Sequence, residues 1–242
     1  MNKKINILNF RDLGAIKCND GRQIKSQHFY RGPALLESRL SEEDKIALKA
    51  LGIKHIFDFR GHDEIPHQGP LYIPEGTIYH HVPAIIKNDR SKTDDLNTMS
   101  EEGKRFIVEW LYMIYRQLPI DNPAYREVIK AIKNHETPIY FNCSVGKDRT
   151  GVCACLIELL LDAKEEEIYR DYMISHRNYY NYYKSLGMKD EEMNKPSLCN
   201  IEWLEGTLDE IMTKFDSLET FFEKEYAVSV DELGNLRDYY LE

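Results

Sequence analysis

Residues 138–161 constrain this chain most, because they predict a buried strand, a short polar loop and a buried helix in direct succession. Residues 138–141 are apolar and aromatic, which is typical of a short buried strand. The loop begins with Cys143 and reaches Arg149 after five intervening residues. After Gly151 the chain is almost wholly apolar up to residue 161, and such a run predicts a buried helix. The segment therefore predicts a tight strand-to-helix connection within an α/β fold.

The loop in this segment has the residues that bind a phosphate group. A connection of this kind points several backbone N–H groups at a helix N-terminus, where they attract an anion. The same field favours the thiolate of a cysteine at the start of the loop, which here is Cys143. Arg149 is predicted to close the ring and hold a tetrahedral phosphate through two parallel hydrogen bonds. The alternative is a structural cysteine at a strand end, followed by a core helix.

The motifs around this loop resemble those of the cysteine-dependent protein tyrosine phosphatases. Residues 146–151 read Gly-Lys-Asp-Arg-Thr-Gly and are similar to the bacterial branch that acts on phosphotyrosine, often on phosphoserine or phosphothreonine, and on phosphoinositides. Residues 9–14 read Asn-Phe-Arg-Asp-Leu-Gly, which resembles the opening motif of that branch. The resemblance covers nearly the whole chain. It implies a single phosphatase domain over 1–242, with a phosphate-binding loop at 143–149.

The resemblance also implies a fold and a mechanism. The fold is α/β, with a central, mostly parallel sheet flanked by helices and a helical C-terminal part. In the mechanism, Cys143 attacks phosphorus to form a cysteinyl phosphate, which water then hydrolyses. Arg149 stabilises the equatorial oxygens, and Asp148 is the proposed general acid. The substrate-binding residues implied are Ser144, Val145, Gly146, Lys147, Thr150 and Asp58.

Two of these residues carry more specific expectations. The resemblance implies that Thr150 donates a hydrogen bond to the Cys143 sulfur and helps it to leave. It also implies that Lys147 faces the phosphate at the pocket wall, where the alternative is a solvated loop lysine. The mechanism needs no metal and no cofactor.

Asp58 is open to two interpretations. Residues 53–60 predict a strand that ends in Asp58-Phe59-Arg60, where the family carries Asp-Leu-Arg. Ligands of open α/β sheets bind beyond the carboxyl ends of the strands, so Asp58 is expected near Cys143. It is then either a substrate-binding residue and second candidate for the general acid, or half of a buried structural pair with Arg60.

The chain departs from the family pattern at two positions. Asn142 precedes the nucleophile where the family has His, and Gly32 replaces the usual Ser. Asn142 cannot carry the charge of a histidine, so a weaker enzyme or a higher pH optimum is expected. This leaves a phosphatase-like phosphate-binding module without turnover as one alternative. A sulfur-transfer or arsenate-reducing enzyme on a similar loop is another, although neither explains the Lys147–Asp148 pair as well.

Shorter signals predict the remaining elements. Asn19-Asp20-Gly21 indicates a hairpin turn, and Arg11–Asp12 is interpreted as an ion pair that anchors the N-terminus. The polar residues 87–100 are predicted to form a mobile loop, and the tyrosine-rich residues 179–183 to belong to a lid over 176–200. Helix starts are predicted at Ser41, Asn122 and Ser229, and a capping box is predicted over 162–165.

Composition limits the class of protein and its partners. Apolar residues make up 42% of the 242 residues and the net charge is −9, so we expect a folded protein that does not bind nucleic acid. No segment is apolar for long enough to span a membrane. The apolar run at the start of the chain is too short for a signal peptide. Five cysteines without a framework spacing predict reduced thiols and a cytoplasmic location, while the family resemblance leaves secretion open. The expected partner is a phosphorylated protein or a phosphoinositide; the sequence leaves the oligomeric state open.

Overall fold

The fold is built on a mixed β-sheet. The computed structural model describes residues 5–84, 101–190, 193 and 198–242. Within these ranges the strands are β1 (Arg11–Asp12), β2 (Phe29–Pro33), β3 (His55–Asp58), β4 (Ile78–His81) and β5 (Ile139–Cys143). Their order across the sheet is β1-β2-β5-β3-β4, and only β1 and β2 run antiparallel. The predicted α/β fold with a mostly parallel sheet is confirmed.

Helices surround this sheet and make up the C-terminal part. The described helices are α1 (Glu42–Ala50), α2 (Glu64–Gln68), α3 (Glu101–Gln117), α4 (Pro123–Lys133), α5 (Asp148–Leu160), α6 (Glu165–Ser185), α7 (Ile201–Lys214), α8 (Leu218–Tyr226) and α9 (Val230–Tyr240). The predicted starts are confirmed, since Ser41 and Ser229 each form a capping box and Asn122 caps α4 ahead of a proline. These caps satisfy N–H groups that a helix start leaves unpaired.

Side chains of the central strand β5 alternate between two hydrophobic cores, one on each face of the sheet. Ile139 and Phe141 of β5 pack into a large core with α5, whereas Tyr140 packs into a smaller core on the opposite face of the sheet. Ile56 and Phe57 of β3 divide between the two cores in the same way. Successive strand side chains point to opposite faces, so a strand covered on both faces is apolar throughout, as 138–141 predicted.

The buried helix α5 begins earlier than its apolar run suggested. It starts at Asp148, three residues before Gly151, so that Arg149 lies in its first turn. Every residue from Thr150 to Leu160 is buried, as expected for a helix that is apolar all round. All five cysteines fall within the described residues, and each is a buried free thiol. Cys153 and Cys155 fill the core from α5, as predicted.

Two local predictions were wrong. Residues 162–165 do not form a capping box, because α6 starts after Lys164 and no side chain caps it. Asp162 instead adopts a positive φ of 60° and accepts a hydrogen bond from the Asn19 side chain at 3.1 Å. Arg11 and Asp12 do not pair with each other, since adjacent strand residues face opposite sides of a sheet. Arg11 pairs with Asp171 of α6 at 2.6 Å.

The hairpin prediction is confirmed. Lys17 and Gln23 form an antiparallel bridge, and Gly21 turns the chain with a φ of 90°. The loop predicted at 87–100 lies outside the described residues. Among the helices that the structure does describe, none combines the length and apolar character needed to cross a bilayer.

Candidate active site

Cys143 lies at the carboxyl edge of the sheet. It is the last residue of β5 and is paired in register with Pro33 at the end of β2. Only 1% of its surface is exposed. The chain then turns within a few residues into α5, whose N-terminus favours negative charge through its unpaired N–H groups. The structure therefore brings the predicted nucleophile and the predicted anion-binding helix terminus together.

Two glycines allow the loop to approach β2 closely. Gly146 has a φ of 69°, and a Cβ there would overlap the backbone carbonyl of Gly32. A Cβ at Gly32 would lie 2.7 Å from the Tyr140 hydroxyl oxygen, and that hydroxyl donates to the carbonyl of Pro33. Tyr140 therefore occupies the space that a side chain at position 32 would need.

Glu64 holds Arg149 in place. Arg149 Nη1 and Nη2 donate to the two carboxylate oxygens of Glu64 at 2.5 and 2.8 Å. Nη1 also donates to the carbonyl of Phe59 at 3.0 Å, and Nη2 makes a long contact of 3.4 Å to Ser144 Oγ. Arg149 Nε donates to none of the residues that the structure describes. Nε–H is therefore the guanidinium donor that these contacts leave for a ligand.

The carboxylate of Glu64 is built into the site. It also accepts from the backbone N–H of Gly61 at 2.6 Å and from the hydroxyl of Ser144, which in turn accepts from Gln68 at 2.9 Å. Burial alone would raise the pKa of Glu64, but the hydrogen bonds and charge of Arg149 outweigh it and lower that pKa to about 2. Glu64 is thus an anion at neutral pH, and its charge raises the pKa of Arg149 despite the burial of that side chain.

Asp148 lies in the first turn of α5 with its carboxylate oriented by a tyrosine. The buried Tyr115 of α3 donates to Asp148 Oδ1 at 2.7 Å, and Tyr172 of α6 donates to the Tyr115 hydroxyl at 2.9 Å. The Asp148 side chain is 25% exposed. A carboxyl group that is both oriented and open to solvent suits proton transfer to a bound substrate.

Lys147 is not a solvated loop lysine. Its side chain is 6% exposed, and Nζ lies 3.6 Å from Asp148 Oδ2. Nζ also donates to the carbonyl of Leu198 at 3.4 Å. The role at the phosphate that the resemblance implies for Lys147 stays a prediction.

Asp58 forms the buried pair with Arg60 that was one of its two interpretations, and its assignment as a substrate-binding residue stays a prediction. It is fully buried and accepts from the Arg60 guanidinium at 2.7 to 3.0 Å. Tyr79 and Asn142 donate to the same carboxylate at 3.0 and 2.9 Å. Arg60 also donates to the carbonyl of Gly69, at the end of α2. The cluster therefore fixes α2, the helix that carries Glu64.

The remaining predicted residues of the loop, Val145, Ser144 and Thr150, differ in exposure and in their hydrogen bonds. Val145 is 40% exposed, whereas Ser144 is occupied by Glu64 and Gln68. Thr150 was expected to donate to the Cys143 sulfur, but its buried Oγ1 makes no hydrogen bond within the described part of the chain. That expectation is not met in this structure.

Sequence reasoning missed Glu64 and Tyr115. Glu64 follows the end of β3 by six residues, and its position beyond a strand at the carboxyl edge was the signal that could have found it. Tyr115 carried no such signal, because it is one aromatic residue among several on an amphipathic helix.

A model of the tyrosine phosphatase family matches residues 4–242 of the chain. The chain belongs to this family. The predicted membership of a bacterial tyrosine phosphatase family is confirmed by this match and by its relatives. It is 24% identical to a protein of Cupriavidus necator assigned as a tyrosine-protein phosphatase, over 97% of this chain and 86% of that protein.

Two further relatives match shorter parts of this phosphatase. The triple specificity protein phosphatase PtpB of Mycobacterium tuberculosis is 25% identical over 69% of this chain and 66% of its own length. A tyrosine-protein phosphatase of Nostoc commune is 27% identical over 57% of this chain and 45% of its own length.

Two predicted features remain, the absence of a metal requirement and the lid. The part of the chain that the structure describes contains no group of three or more His, Cys, Asp or Glu side chains arranged to hold a metal ion. The predicted lid at 176–200 begins in the last turns of α6, and residues 191, 192 and 194–197 lie outside the description. The lid stays a prediction.

Proposed function

We propose that this phosphatase hydrolyses phosphomonoesters through a cysteinyl-phosphate intermediate on Cys143. The observation that supports this most directly is the position of Arg149. It lies in the first turn of α5, held by both carboxylate oxygens of Glu64, with Nε still available to an anion. A guanidinium fixed before substrate arrives stabilises charge on the transferring phosphoryl group without reorganisation.

In the first step the thiolate of Cys143 attacks phosphorus and forms an S–P bond as the bond from phosphorus to the leaving oxygen breaks. That oxygen takes a proton from Asp148, which Tyr115 orients. In the second step water attacks phosphorus, the S–P bond breaks, and Asp148 regains a proton from the water. Inorganic phosphate leaves and the thiolate is restored.

The proposed substrates are phosphotyrosine proteins first, and phosphoserine or phosphothreonine proteins and phosphoinositides in addition. The triple specificity named for the Mycobacterium tuberculosis relative supports this broader range. The ammonium of Lys147, within the loop, favours substrates with more than one phosphate, since attraction grows with substrate charge.

Hydrolysis of an aryl phosphate by the wild type and by Cys143→Ser tests this mechanism. We expect turnover by the wild type, none by the variant, and retained binding of inorganic phosphate by both. Rapid acid quench of the wild type should trap one phosphoryl group on Cys143, identified by peptide mass spectrometry. Wild-type turnover by the variant would refute the assignment of the nucleophile. Phosphate binding without turnover in the wild type would favour the alternative, a phosphatase-like binding module.

A further inference from the structure

The outer side of the phosphate-binding loop is held by side chains from distant parts of the chain. The carbonyl oxygen of Val145 accepts from the Tyr179 hydroxyl at 2.6 Å, and that of Gly146 accepts from Asn9 Nδ2 at 2.9 Å. Arg31 Nη2 donates to the same Gly146 carbonyl at 3.2 Å. All three donors are buried, with exposures of 6% for Tyr179, 3% for Asn9 and 0% for Arg31.

These contacts decide which way the loop amides face. In a planar trans peptide the C=O and the N–H of the next residue point in opposite directions. Drawing the Val145 and Gly146 carbonyls outward therefore turns the N–H groups of Gly146 and Lys147 the other way, toward the inside of the loop. Those are the N–H groups expected to bind phosphate oxygens.

Two of these donors, Arg31 and Asn9, are fixed through Asp171 of α6. Asp171 binds Arg31 at 2.5 Å and Arg11 at 2.6 Å. Arg11 Nη1 in turn donates to Asn9 Oδ1 at 2.8 Å, so the other end of the Asn9 amide, Nδ2, must face the loop. Tyr179 follows Asp171 by eight residues, and that spacing places both on the same side of the helix.

We propose that Tyr179 and Asn9 are positioning residues that set the loop amides for phosphate, and this rests on the proposed function of the loop. Tyr179 belongs to the tyrosine cluster expected in a lid, and Asn9 to the N-terminal motif in which only Arg11 and Asp12 were given a role. Both act on phosphate through Val145 and Gly146 without touching it. Their loss should weaken the binding of any phosphate group, whatever molecule carries it.

Tyr179→Phe is the clean test, because it removes one hydroxyl and keeps the ring. Tyr226→Phe is a matched control. The Tyr226 hydroxyl donates to the carbonyl of Pro119 at 2.6 Å and the residue is 7% exposed, so both variants lose a buried bond of the same type and length. Tyr226 lies on α8 and its bond does not involve the loop.

The measurement is the dissociation constant of inorganic phosphate, by calorimetry, in wild type and both variants. We expect Tyr179→Phe to bind phosphate up to about tenfold more weakly, which is the upper end of the factor that one hydrogen bond contributes. Tyr226→Phe should bind phosphate as the wild type does, and denaturant unfolding should show both variants destabilised to a similar degree. Asn9→Gly, which suits the φ of 66° at this position, should weaken binding as well.

The outcomes separate this inference from the proposed function. Unchanged phosphate affinity in Tyr179→Phe, or an equal loss in Tyr226→Phe, would overturn the positioning role even if the enzyme hydrolyses phosphomonoesters. A loss confined to the Tyr179 and Asn9 variants would support the role even if the wild type proved unable to turn over. Absence of phosphate binding in the wild type would overturn both proposals.

Discussion

Replacing Glu64 with glutamine tests whether this carboxylate fixes the phosphate-binding arginine. Glu64→Gln keeps the size of the side chain but leaves one oxygen to accept from Arg149, and it sets an NH2 group against the other guanidinium nitrogen. One strong hydrogen bond is lost from the pair, and one N–H of Arg149 is left without its acceptor. The Phe59 carbonyl, at 3.0 Å, cannot by itself orient the guanidinium.

The effect on stability can be worked out from the pKa of Glu64. The fold lowers this pKa from 4.5 to about 2, which corresponds to about 3 kcal/mol at about 1.36 kcal/mol per pKa unit. A quarter of the side chain is exposed (25%), so solvent screening reduces the expected contribution to about 1–2 kcal/mol. Because the folded pKa is the lower one, this contribution is complete above about pH 4.5 and is lost as pH falls toward 2.

The effect on catalysis should appear mainly in kcat. Hydrogen bonds to charged groups are worth about 1.5–3 kcal/mol, so we expect a fall of about 10- to 100-fold. The substitution also removes a negative charge beside the anion site, which favours binding of the substrate in its ground state. The loss of alignment is therefore expected in kcat more than in KM.

The assays are steady-state hydrolysis of an aryl phosphate at pH 7 and urea unfolding at pH 7 and pH 3. Glu75→Gln is the control, because Glu75 is 88% exposed in its side chain and, among the described residues, pairs only with Lys49 at 3.1 Å. The stability difference between wild type and Glu64→Gln should be largest at pH 7 and shrink at pH 3. A wild-type kcat in Glu64→Gln, or a stability difference that does not depend on pH, would contradict the reasoning.

Three further substitutions test other parts of the site. Asp148→Asn should slow alkyl phosphates with poor leaving groups far more than aryl phosphates; a plot of log kcat against leaving-group pKa with unchanged slope would move the acid role elsewhere. Lys147→Ala should lower kcat/KM on phosphoinositide vesicles more than on a phosphotyrosine peptide, and equal losses would assign Lys147 to holding Asp148 alone. Gly32→Ser should destabilise the fold by about 1–3 kcal/mol through overpacking against Tyr140. Adding Tyr140→Phe should recover part of this stability. Urea unfolding that shows no loss in the single variant would contradict this.

Features with a short-range cause could be predicted from the sequence. The apolar residues 138–141 become a strand buried on both faces, and Ser41 and Ser229 cap helices because the partner N–H groups lie within one turn. The loop from Cys143 to Arg149 also has a local cause, since its residues meet within a single connection. Local spacing suffices for such features.

Pairs that join distant segments could not be predicted in this way. Arg149 meets Glu64 across 85 positions and Arg11 meets Asp171 across 160, and each charged group has many candidate partners in a chain that is 30% charged. Adjacency was misleading for Arg11 and Asp12, because strand alternation separates neighbours. The burial of Asp58, which favours the structural pair with Arg60, comes only from the assembled sheet.

The burial of every cysteine has a practical consequence for counting active molecules. Burial raises the pKa of Cys18 to about 11 and that of Cys199 to about 12, and it raises those of Cys153 and Cys155 well above their ordinary value. Alkylating reagents attack the thiolate, so these four thiols react slowly in the folded chain at neutral pH. Iodoacetamide uptake that inorganic phosphate prevents would therefore report Cys143 alone, and its stoichiometry would give the fraction of chains with an intact loop.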